Sequence, residues 1–60
     1  MAYVLTVFDQ KGDKLLDEII EASTDEESKE QATILLKEHQ YEEETHRLVS
    51  PDARLLLFHR

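Results

Sequence analysis

The chain predicts an α+β domain of order ββαββ, a small four-stranded sheet with one helix on one face. Three observations carry this. Two apolar stretches with strand character, residues 3–8 and 54–58, stand at opposite ends of the 60 residues. A strongly capped helix lies between them. A turn signal follows the first stretch and another precedes the last. Burying both end stretches brings them into one sheet, and a single amphipathic helix can roof it.

The first element, Tyr3-Val4-Leu5-Thr6-Val7-Phe8, is rich in β-branched and aromatic residues and holds no breaker, so it predicts a strand. Asp9 to Asp13 reads as a turn, with Gly12, the only glycine, at the positive φ that a bulged hairpin loop needs. Residues 15–22 fit two patterns. Leu15, Leu16, Ile19 and Ile20 recur at helical spacing, with Asp13 as a cap. As a strand, one face carries Leu16, Ile20 and Ala22, and the other carries Leu15 and Ile19. The strand is preferred because the first strand needs a near partner and Ser23-Thr24 starts a new helix at once. A βααββ order remains the competitor.

The next boundary is sharper. Thr24-Asp25-Glu26-Glu27 matches a capping box, in which Thr24 accepts the Glu27 amide and Glu27 reaches back. The three acids oppose the positive end of the helix dipole. Ser28, Ala32, Leu35, Leu36 and His39 form one stripe, predicting a helix over 25–39. Residues 44–49 and 54–59 then read as two strands joined by Ser50-Pro51-Asp52-Ala53, with Pro51 at the first central position of a type I turn.

Composition bounds the class. Sixty residues make one domain, 1–60, with 40% hydrophobic and 35% charged residues and no cysteine. Neither disulfides nor thiolate zinc can supplement the core. No stretch approaches the ~20 apolar residues of a membrane span, and no secretory leader is evident, so a cytoplasmic protein is expected. The net charge is -7. From Asp9 to Glu44 there are 13 acids and 4 lysines, a balance of -9; Arg47, Arg54 and Arg60 against Asp52 restore +2. An acidic body argues against nucleic acid as a partner.

If Val49 pairs with Arg54, the register continues Leu48–Leu55, Arg47–Leu56, His46–Leu57, Thr45–Phe58 and Glu44–His59. One face then holds Leu48, Leu55, Leu57, His46 and His59. The other holds Val49, Leu56, Phe58, Thr45, Arg47 and Arg54. The first strand divides likewise, with Tyr3, Leu5 and Val7 opposite Val4 and Phe8. One helix covers one face only. The expectation is that Val4, Phe8, Val49, Leu56 and Phe58, with Arg47 and Arg54, form a surface for a second copy or another protein.

Candidate chemistry is sparse. His46 and His59 share a face near Glu44, and two imidazoles with a carboxylate suit zinc. Their spacing matches no metal signature, and half-exposed strand histidines are the plainer reading. Arg47, Arg54 and Arg60 could contact an anion, with Tyr3 or Phe58 to stack a base; pairing with the many carboxylates explains them more simply. Glu42-Glu43-Glu44 lacks the glycine and alternating oxygen ligands of a calcium loop. No nucleophile elbow or phosphate loop occurs, and nothing implies a cofactor, so an enzyme is not expected.

The segments Tyr3 to Phe8, Tyr41 through Thr45-His46-Arg47, and Leu57-Phe58-His59-Arg60 resemble the YhzD-like family, small bacterial proteins associated with Bacillus and its relatives. The resemblance covers essentially the whole chain. It implies a bacterial cytoplasmic protein and brings no catalytic residue, cofactor or partner.

Overall fold

The computed structural model describes residues 1–59. Five elements follow in order: β1 (Ala2–Phe8), β2 (Lys14–Glu21), α1 (Asp25–His39), β3 (Thr45–Val49) and β4 (Leu55–His59). The strands form one antiparallel sheet in the order β2-β1-β3-β4. Two hairpins therefore lie side by side, and α1 crosses from one to the other. The chain ends share the sheet, with β3 between their strands. Among the described residues no helix is long and apolar enough to cross a membrane.

The ambiguous segment forms a strand, β2, over Lys14–Glu21 with Ala22 just beyond it, because β1 offers a full-length partner, Tyr3 with Ile20 through Val7 with Leu16. The turn before it is held by Asp9. Its carboxylate accepts the Lys11 and Asp13 amides at 2.8 and 2.9 Å, and Gly12 takes φ 89°. An extra residue, Leu15, enters β2 where the register shifts beside Val7 and Phe8.

At the start of α1, Thr24 is extended and its hydroxyl accepts the Glu27 amide at 3.1 Å. The return half of the capping box is not made: the Glu27 carboxylate accepts from Gln31 Nε2, one turn along, at 3.4 Å. At the other end Gln40 adopts the left-handed conformation at φ 61°. Its amide donates to the Lys37 carbonyl and that of Tyr41 to the Leu36 carbonyl, the two bonds of a Schellman closure. Ser28, Ala32 and Leu36 face the sheet; their small size at two turns lets the helix lie close. His39, expected in the same stripe, is exposed beyond the sheet and stacks on Tyr41 at 5.6 Å.

The core lies between α1 and one sheet face. Tyr3, Leu5, Val7 and Leu48 are fully buried there with Ala32, joined by Ile20, Ala22 and Leu36. Each large side chain so enclosed contributes about 1.5–3 kcal/mol. A polar network pins the helix start to this layer. The Tyr3 hydroxyl donates to Asp25 Oδ1 at 2.8 Å, and Arg54 Nη2 donates to Asp25 Oδ2 at 3.1 Å. Arg54 Nε also donates to Asp52, whose other contact is the Ser50 hydroxyl. These two partners hold the Asp52 carboxyl below its ordinary range. Asp52 and Asp25 together raise the already high pKa of Arg54.

The β3–β4 register differs from the expected one. Ser50 and Arg54 form the closing pair, with the Ser50 amide donating to the Arg54 carbonyl at 2.9 Å. Val49 therefore faces Leu55, not Arg54. A second irregularity leaves Leu56 unpaired, and Leu48 meets Leu57, Arg47 meets Phe58 and His46 meets His59. Two successive one-residue shifts restore the original alternation beyond the bulge but move Leu55 and Leu56 between environments.

The caps generate a paired expectation. Thr24→Ala should lower stability by about 1 kcal/mol, and Gln40→Gly, relieving a left-handed side chain, should raise it by about as much. In a domain of this size each change moves the thermal midpoint by roughly 4–8 °C, in opposite directions. The Tyr3 hydroxyl gives a pH test. Its hydrogen bond to Asp25, then burial, raise the phenol above its ordinary value. The unfolded chain releases that proton near pH ~10 while the folded chain retains it, so this stability is intact below ~10 and is lost as pH climbs toward the folded value. Urea midpoints should show Tyr3→Phe weaker than wild type at neutral pH but with a shallower alkaline decline. A steeper decline in the variant would contradict the assignment.

Candidate functional site

With α1 on one side, the opposite face of the sheet is left open. Pairing fixes which side chains stand together there. Ile19 of β2, Val4 of β1, Val49 of β3 and Leu55 of β4 are successive cross-strand partners. They form one apolar row across all four strands. Three of them are markedly exposed: Ile19 at 68%, Leu55 at 55% and Val4 at 37%. The adjoining row reads Asp17, Thr6, Arg47 and Phe58, with Phe58 60% exposed. The row after that brings Lys14, Phe8 and Thr45 together.

Arg47 lies flat over this surface. Its guanidinium carbon stands 5.8 Å from the Phe8 ring centroid, a cation–π arrangement that keeps the stem on apolar ground. Lys14 Nζ pairs with Asp17 at 3.2 Å, an exposed pair of small energetic weight. Charge on this face is thus sparse: Arg47 on β3, and Lys14 with Asp17 on β2.

Of the residues expected to form this surface, Val4, Phe8, Val49, Arg47 and Phe58 stand on the open face. Leu56 does not: the bulge turns it toward the core, where it packs partly buried. Arg54 does not either, because Asp25 and Asp52 hold it at the helix start. Arg60 lies outside the described residues. Ile19 and Leu55 were missing from the expected set. Ile19 was legible once residues 15–22 were read as a strand paired with β1, since it falls opposite Val4. Leu55 was hidden by the turn geometry.

The two histidines meet, but not as a chelate. His46 and His59 are direct cross-strand partners on the helix side, with ring centroids 5.3 Å apart and planes inclined by 21°. Such stacked rings aim their nitrogens side by side and not at one point. His46 Nδ1 lies 2.8 Å from the Glu44 backbone carbonyl. A carbonyl only accepts, so Nδ1 carries the proton and Nε2 is the free position. Glu44 contributes its backbone to this contact, while its side chain lines an acidic concavity with Gln40, Glu42 and Glu43. Among the described residues no group of three His, Asp or Glu side chains converges to hold a metal ion. A largely apolar groove lies at the β2 edge, where Ile19, Ile20, Ile34 and Leu35 meet beside Glu21 and Gln31, and a shallower one runs along α1 past Glu26, Lys29, Glu30, Thr33 and Ile34.

The family model described as YhzD-like protein matches residues 1–60. The chain is 47% identical over 58 residues to the uncharacterized protein YhzD of Bacillus subtilis (strain 168), a match that spans 97% of this chain and 95% of that one. No solved structure matches. With both hairpins, the helix and the open apolar row inside the matched span, the chain belongs to the YhzD-like family.

Proposed function

We propose that this protein is a small interaction module with no chemistry of its own, which works in the cytoplasm and self-associates through the open face of its sheet. The row Ile19–Val4–Val49–Leu55 carries this reading. An antiparallel sheet with one wet face ordinarily alternates apolar and polar side chains, so that its solvent side is polar. Here the solvent side has an apolar band running from edge to edge, flanked by Phe8 and Phe58. Covering such a band with the same band on another copy removes both from water at once.

The acidic body favours a protein partner over nucleic acid, since phosphate contacts need an excess of basic side chains. A regulator that binds a metal or an anion through His46, His59 and the arginines finds less support. The rings do not converge, and Arg54 is already engaged by two carboxylates.

Sedimentation equilibrium at micromolar concentration should give wild-type protein about twice the 7.0 kDa chain mass. Ile19→Glu places a charge in the band at an exposed edge position and should weaken association at least tenfold, about 1.4 kcal/mol. A monomeric wild type, or a variant that associates as well as wild type, would overturn the reading. Zinc titration calorimetry should give the same heat of dilution for wild type and for a His46→Ala, His59→Ala double variant. A saturable heat in the wild type alone would favour the metal-binding alternative.

A further inference from the structure

The open face has a symmetry that says how a second copy would lie on it, if self-association through that face holds. From β2 to β4 the apolar row runs large, small, small, large: Ile19, Val4, Val49, Leu55. We propose that the second copy docks about a two-fold axis parallel to the strands, midway between β1 and β3. That operation exchanges β2 with β4 and β1 with β3. Ile19 of each copy then sits on Leu55 of the other, and Val4 on Val49.

Three observations support this axis. The first is bulk. An axis along the strands reverses the row, so complementarity demands that the row read the same in both directions, and it does. Ile19 then packs on Leu55 and Val4 on Val49, side chains of like size facing each other across a core of about 10 Å, the thickness of aligned sheets.

Charge gives the second. The same axis sets Asp17 over Phe58 of the other copy, one strand spacing, about 4.8 Å, to the side of its Arg47. A guanidinium spans that distance; among the described residues Arg47 makes no ion pair within its own chain, and Asp17 has only its exposed pair with Lys14. A two-fold axis perpendicular to the strands through the apolar row would instead lay Asp17 on Glu21 of the other copy, acid on acid, with only the exposed Lys14 and N-terminal ammonium beside them. Like charges so opposed disfavour that alternative.

The third is area. The body measures 32 × 22 × 15 Å, and its shortest dimension suits two stacked layers. A rectangle of 32 × 22 Å, about 700 Å², bounds its broad side, the same order as the ~800 Å² that each partner gives to an interface of standard size.

The chain has no cysteine, so engineered thiols report without background. Ile19→Cys and Leu55→Cys each alter an exposed edge side chain. A short bis-maleimide is added to each variant alone and to an equal mixture, with mass measured in parallel. Neither variant alone should cross-link. The mixture should couple up to about half of its chains, the share of mixed dimers when copies exchange at random. Dimeric mass with each variant coupling to itself, or with no coupling anywhere, would overturn the axis and leave self-association standing. Monomeric mass with no coupling would remove both.

Discussion

One fifteen-residue helix can roof only one side of a four-stranded sheet, and the rest of this molecule follows from that limit. Beneath α1 the sheet carries Tyr3, Leu5, Val7, Ile20 and Leu48, all buried. Among the described residues there is no second helix on the reverse side. Yet each strand alternates, and residues on the reverse side are also largely apolar near the middle of the sheet. The uncovered band is therefore a consequence of strand composition meeting a shortage of covering material.

The roof is fastened at its N-terminal end. Asp25 is the hinge pin of that attachment, accepting from the Tyr3 hydroxyl in β1 and from Arg54 at the entry to β4. Tyr3 thus belongs to the core through its ring and to the polar network through its oxygen, as buried tyrosines commonly do. The same network holds Arg54, though still 59% exposed, at the helix start and off the open face. At the opposite end the helix stops at the left-handed Gln40, without the glycine usually found there.

The stacked histidines show how a shared face differs from a site. His46 and His59 are closer than the expected register placed them, because they are direct partners and not diagonal ones. Proximity alone does not make them ligands. Ring orientation, set by the Glu44 carbonyl holding His46 Nδ1, decides where the lone pairs point.

Local chemistry determined a good deal. The β-branched run of β1, the Thr24 cap with its acidic first turn, and the Pro51 turn each act within a few residues, so element order and type could be read from the chain. The division of β1 into Tyr3, Leu5 and Val7 against Val4 and Phe8 follows from the two-residue period of a strand. What tertiary structure decided depends on contacts between distant segments. Residues 15–22 suit helix or strand alone, and all but Ala22 become a strand because β1 lies beside them. The order β2-β1-β3-β4 reflects which hairpin edges meet under α1, a matter of layer packing that no local pattern encodes. Leu55 and Leu56 exchange roles because the turn closes on Ser50 and Arg54 and a bulge follows. One residue of register reverses every side chain beyond it, so the exact membership of the open face was settled only when the strands paired.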